Sequence, residues 1–226
     1  MFTDRIDAGL RLAERLERYK GSRGVVLAVP RGGVPVGFMV AESLGFELDV
    51  LLCKKIGHPQ NPEYAIGAVS PTDRILNLTA GVDEGYIERE TDILRKKMRE
   101  NERAFRKGRP AAALKGRTVI VVDDGIATGS TLLCTLPMLR RQGADRIVVA
   151  VPVAPASAIR KLKAHADEIV SLLVPEDFIA VGSYYEDFSQ VEDEEVARYM
   201  DHSRKKAAAD TPGRRIDETA TEEQDT

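Results

Sequence analysis

The chain has 226 residues, of which 43% are hydrophobic and 31% charged, with a formal net charge of −3. This is the composition of one globular domain with a core of ordinary size, and it gives no general reason to expect a nucleic-acid partner. Two cysteines, Cys53 and Cys134, each in an apolar segment, read as buried free thiols of a reducing compartment rather than a disulfide framework. Three histidines, His58, His165 and His202, show no metal-ligand spacing. The first residues lack the apolar stretch of a signal peptide, and no apolar run approaches membrane-spanning length, so a cytoplasmic protein off the membrane is expected.

Phe2, Ile6, Leu10, Ala13 and Leu16 recur at helical spacing and predict an amphipathic helix ending near Lys20 and Gly21. Residues 25–29 read as a buried strand, Pro30-Arg31-Gly32-Gly33 as a tight loop, and residues 35–44 as a helix with proline in its first turn and Gly45 as its stop. Residues 48–53 form a second expected strand. From Lys54 to Gly116 the alternation lapses. Residues 65–69 and 74–78 suit a short hairpin around Pro71-Thr72-Asp73, and residues 86–107 a charged helix. Alternation then resumes, with strands at 118–122, 146–151 and 168–174 and helices at 131–142 and 155–166. Near-continuous apolar strands alternating with helices indicate an α/β fold, a parallel sheet with helices on both faces. Ligands of such sheets bind beyond the carboxyl ends of the strands. From about Ser203 apolar residues are lost, so the domain is expected over 1–202 and a disordered tail over 203–226.

The stretch Asp123-Asp124-Gly125-Ile126-Ala127-Thr128-Gly129-Ser130-Thr131 follows four β-branched apolar residues and opens a helix. A glycine-bearing loop running into a helix N-terminus presents unpaired N–H groups and the positive end of the dipole, which suits a phosphate. Two carboxylates repel that phosphate and suit sugar hydroxyls or a divalent metal, so the implied ligand is a phosphorylated sugar. The bland reading is a capped strand-to-helix turn with two solvated aspartates. The chain has neither a G-x-x-x-x-G-K-S/T nucleotide loop nor a G-x-G-x-x-G after a strand.

This nonapeptide resembles the phosphoribosyl pyrophosphate (PRPP) signature of type I phosphoribosyltransferases, and the layout is similar to an uncharacterised branch of that family across about residues 2–200. The resemblance implies a Mg²⁺-dependent transfer of the 5-phosphoribosyl group from PRPP to a nitrogen acceptor, a nucleobase, with release of diphosphate. Asp123 and Asp124 would hold the ribose hydroxyls and meet the metal indirectly, while Gly125 to Thr131 would grip the 5′-phosphate. Arg31, Gly32 and Gly33 would form the diphosphate loop, where family members often hold a non-proline cis peptide, here Pro30–Arg31.

Lys54 and Lys55 match a basic pair that reaches the diphosphate, although two lysines after a strand also suit a solvated loop. Residues 56–112 match the family's mobile loop in position; His58, Asn61 and Glu63 within it are site candidates or members of a polar turn. The basic stretch at residues 95–109 reads as a solvated helix face, or as anion recruitment or RNA binding. Residues 175–190 resemble a purine-enzyme hood in which Phe178 would stack on a base and Ile179 would offer main-chain contacts; alternatively Phe178 is core. Ala127 replaces an acid found in many 6-oxopurine enzymes, and Val151-Pro152-Val153-Ala154 lacks their lysine, so the acceptor stays open. A PRPP-binding regulator without catalysis is the alternative reading. Relatives are commonly homo-oligomers.

Overall fold

The computed structural model describes residues 1–76 and 81–209, the side chains of Glu63 and residues 206–209 excepted. Five strands form one parallel sheet in the order β2-β1-β6-β7-β8: β1 (Gly24–Ala28), β2 (Glu47–Val50), β6 (Thr118–Val122), β7 (Arg146–Val153) and β8 (Glu168–Leu173). The register places Ala28 opposite both Val50 and Val122, and Val122 opposite Ala150. The two-residue period of a strand then divides the apolar runs between two cores. Val26, Ala28, Ile120, Val122, Val148 and Ala150 face one layer, and Val25, Leu27, Val119, Val121, Ile147 and Val149 the other. Helices α1 (Arg5–Arg15), α2 (Gly33–Leu44) and α6 (Asp193–Ala209) cover the first face, and α4 (Ser130–Arg141) and α5 (Ala156–Leu162) the second. Every expected element of this sheet is present, with ends shifted by a few residues.

Residues 54–112 depart from a plain loop. Strands β3 (Lys54–His58), β4 (Asn61–Val69) and β5 (Arg74–Leu76) make an antiparallel meander, and a long helix α3 (Glu84–Arg106) follows. The expected hairpin exists: Ser70 N donates to Asp73 O at 2.9 Å and Asp73 N to Ser70 Oγ at 2.9 Å, closing the turn. Its expected last residues, 77 and 78, lie outside the described residues. Helix α3 starts on Asp83, whose carboxylate accepts from Tyr86 N at 2.9 Å. It ends on Arg106, a buried arginine that grips the buried Asp49 of β2. Met98 and Phe105 of α3 join the first core together with Val196 and Met200 of α6.

Helix α6 has no counterpart among the elements expected from the sequence. It extends to Ala209 and buries Ser203, which corrects the boundary drawn there for a disordered tail; residues 210–226 lie outside the described residues. Cys53 is buried, and burial pushes its thiol up to about 11, whereas Cys134 is half-buried.

Candidate active site

The sheet order reverses between β1 and β6, since β1 is followed by β2 on one side while β6 lies on the other. Loops at such a switch point diverge and leave a crevice. Both motifs sit there, because the loop after β1 and the turn after β6 leave from neighbouring strand ends.

The two loops interlock through glycine. A Cβ on Gly33 would lie 2.8 Å from the Asp123 Cα and 2.8 Å from Val122 O, and one on Gly32 would collide with Asp124 Oδ2. Side chains cannot occupy those spaces, so the pair of glycines sets how closely the loop approaches the two acids. The Pro30–Arg31 peptide bond is cis. Beyond the acids, Ile126 N donates to Val153 O at 2.9 Å and Gly129 takes a left-handed conformation with φ of 72°. Thr128 Oγ1 and Ser130 Oγ lie 3.1 Å apart at the start of α4. The first N–H groups of α4 have no partners within the helix, as at any helix start, and are available to an anion.

Asp123 and Asp124 lie side by side with different partners. Asp123 Oδ1 accepts from Asp124 N at 2.9 Å. Enclosure in the crevice floor, then the charge of Asp124, holds the Asp123 carboxyl well above the usual carboxylate range. Burial also raises Asp124, against the opposing pull of Arg5. Arg5 Nε and Nη2 reach Asp124 Oδ2 at 2.9 and 2.8 Å.

The crevice has a volume of about 300 Å³. Pro30, Arg31, Lys54, Asp123 and Thr131 line it, and its far wall is made by Lys97, Met98 and Asn101 of α3 with Asp193 of α6. Arg31 Nη1 meets Glu192 Oε2 at 3.1 Å, and its Nε lies 3.6 Å from Asp193 Oδ1. A cavity of about 370 Å³ between β2, α4 and the Ser70–Asp73 turn is larger, but it contains no residue of either motif.

A family sequence profile described as "Phosphoribosyl transferase domain" matches residues 4–189, which include both loops and all but the last residue of the 175–190 segment. The chain belongs to the phosphoribosyl transferase domain family. Two proteins of Mycobacterium tuberculosis, from strains CDC 1551 and H37Rv, whose names assign them provisionally to the phosphoribosyl transferases, are each 41% identical over 226 residues. The alignments cover 94% of this chain and 51% of theirs, so the chain spans about half the length of these curated relatives. The crystal structure of TT1426 from Thermus thermophilus superposes with a TM-score of 0.82 at 47% identity, covering 88% of this chain and 97% of that one.

Within this phosphoribosyl transferase domain, the structure brings Arg31, Gly32, Gly33, Asp123, Asp124 and the loop from Gly125 to Thr131 together. Of the lysine pair, Lys54 lines the crevice and Lys55 does not. The pair begins strand β3 rather than a loop, so consecutive side chains point to opposite faces, and Lys55 lies beside Cys134 of α4. His58 and Asn61 face each other at the hairpin tip, where His58 Nδ1 accepts from Gln60 N at 3.1 Å, away from the crevice. The Glu63 side chain lies outside the described residues. Phe178 is half-buried and stacks on Tyr184, ring centroids 5.9 Å apart and 19° from parallel, rather than entering the core. Ile179 is 83% exposed.

Sequence reading missed Arg5, Lys97, Asn101 and Asp193. The Lys97 position had one signal, the basic stretch of α3, which is part crevice wall and, at Arg106, part buried clamp. Among the described residues no helix is long and apolar enough to cross a membrane.

Proposed function

We propose that the domain transfers the 5-phosphoribosyl group of PRPP to a nitrogen acceptor, a nucleobase, and releases diphosphate. The observation that carries this reading is the packing of the Gly32-Gly33 loop onto Asp123 and Asp124 at the switch point, which brings Arg31 and Lys54 close to two carboxylates and supports adjoining diphosphate and ribose subsites. In the proposed reaction the acceptor nitrogen forms a bond to C1 of the ribose as the bond from C1 to the diphosphate oxygen breaks, with inversion. The start of α4 holds the 5′-phosphate, a remote group that fixes the reacting carbon. Asp123 and Asp124 hold ribose hydroxyls and favour positive charge growing on the ring. Arg31, Lys54 and Lys97 receive the diphosphate. The wall formed by α3 limits water at a ring carbon that water would attack.

Mg²⁺ is part of this proposal, and the donor set fits it. Among the described residues no cluster of three or more side chains forms a metal cage. Mg²⁺ is commonly held by one or two carboxylates together with substrate phosphates, and Asp123 and Asp124 would hold it through water or ribose oxygens. When bound, it neutralises charge on the leaving group. The Phe178–Tyr184 stack supports a planar acceptor. A cytoplasmic homo-oligomer completes the reading; sedimentation tests the assembly.

Diphosphate release from PRPP with Mg²⁺, measured across purine, pyrimidine and amine acceptors, tests the reaction. Acceptor-dependent release that vanishes in Asp123→Ala/Asp124→Ala is expected. The second reading, a PRPP-binding regulator, is favoured by one observation: Arg31 is engaged by Glu192 and Asp193. It requires PRPP binding without release under any acceptor.

A further inference from the structure

Arg5 lies in the first turn of α1, 119 positions from the acid it contacts. Its side chain is only 11% exposed, and the guanidinium contacts three residues in two segments of the chain. Nε and Nη2 hold Asp124 Oδ2; Nη1 donates to Ser189 O at 2.7 Å; and the Phe188 ring lies beneath the group, 3.9 Å from its central carbon to the ring centroid. The same guanidinium borders the diphosphate loop, since a Cβ on Gly32 would come within 3.3 Å of Nη2. The main chain of Asp124 is tied as well, its carbonyl accepting from Tyr185 Oη at 2.6 Å. Asp123 lines the crevice, whereas Asp124 is not among the residues of its wall. The two acids therefore have different surroundings: Asp123 lines the crevice, and Asp124 points at the Gly32 loop while Arg5 holds its carboxylate.

We infer that Arg5 is the positioning residue of the two-acid turn: it clamps Asp124 to the segment closing the hood, so that PRPP binding depends on Arg5 through Asp124. This rests on the phosphoribosyltransferase reading. A planar fork suits the task, because it satisfies a carboxylate and a carbonyl at fixed angles while stacking on a ring. Lysine keeps the charge but has neither fork nor stacking plane. The charged groups around the clamp are Asp123, Asp124 and Asp187, with the Tyr185 hydroxyl; Arg5 is the cation among those acting on the pair.

The test is a double-mutant cycle read by calorimetric binding of PRPP with Mg²⁺, with Mg²⁺-diphosphate as a second ligand that has no ribose. Arg5→Met is expected to weaken PRPP about tenfold in the native background and less than about twofold when Asp124 is already Asn. Diphosphate affinity is expected to stay within about twofold in both, and Arg5→Lys to fall between wild type and Arg5→Met. If Arg5→Met does not fold, the same cycle run with Arg5→Lys decides. An Arg5 penalty of equal size in both backgrounds, or a parallel loss of diphosphate binding, overturns the inference. A folded wild-type chain that binds diphosphate but not PRPP rejects the transferase reading itself, a separate result.

Discussion

Two arginine–aspartate contacts in this molecule look alike and are opposites in use. At Asp49, the carboxylate has a full set of donors, and its arginine also reaches Glu102 Oε1 at 2.6 Å. Arg106 Nε and Nη2 donate to its two oxygens at 2.9 and 3.1 Å, Val50 N donates at 2.8 Å, and Ala112 N at 2.8 Å. At the switch point, Arg5 meets the Asp124 carboxylate while Asp123 has no arginine contact among the described residues, and the carboxyl groups of both stand above their usual range. The first group is complete and joins α3 to β2. The second sets two adjoining carboxylates beside one arginine that pairs with only one of them, the kind of uncompensated cluster that marks functional sites.

The comparison breaks most readily at the complete pair. Arg106→Ala leaves Asp49 buried without its partner and is expected to cost about 3–5 kcal/mol, lowering the melting temperature by roughly 10 °C, as calorimetry would show. Asp123→Asn is expected to act the other way on stability. It should reduce diphosphate release by at least about 100-fold, yet raise the melting temperature at neutral pH because it removes one of two adjoining buried charges. A variant that loses both activity and stability would mean that Asp123 is balanced as Asp49 is.

The pH dependence sharpens the same contrast. Asp123 binds its proton more tightly folded than unfolded. Its stabilising contribution is therefore complete below the ordinary carboxylate value of 3.8 and is lost as pH rises through the raised folded value. The stability difference between Asp123→Asn and wild type should grow in favour of the variant over that rise. PRPP affinity should increase over the same range as the pair ionises. Smaller effects are expected at the crevice wall. Lys97→Ala should weaken Mg²⁺-diphosphate about tenfold, and Glu192→Gln/Asp193→Asn should tighten it about threefold by freeing Arg31, most visibly at low salt.

These contrasts also show what the chain discloses when read linearly. The two-acid motif is legible because strand, acids, glycines and hydroxyls are contiguous, and local chemistry dictates each. The parallel sheet is legible because both its faces are buried, leaving unbroken apolar runs such as Val119 to Val122. Strand β3 was hidden because Lys54-Lys55-Ile56-Gly57-His58 offers one buried apolar side chain in five residues. Helix α6 was hidden by an acidic start, Asp193-Glu194-Glu195, and a polar end, its few core residues being spaced out at Val196, Met200 and Ser203. Arg5 had no local signal at all, since its meaning comes from partners at positions 124, 188 and 189.

Near the hood, Val181 fills the space that a side chain on Gly125 would need, its two methyl groups standing where a Cβ would have to go. The segment carrying Val181 and the loop opening at Gly125 are thus nested. A ligand that displaces either one must be felt by the other, and by thermodynamic reciprocity each raises or lowers the other's affinity by the same factor. On the proposed function, synergy between acceptor and sugar phosphate is expected to depend on the fit at Gly125, and Gly125→Ala, by prising the two segments apart, should abolish it before it abolishes binding of either ligand alone.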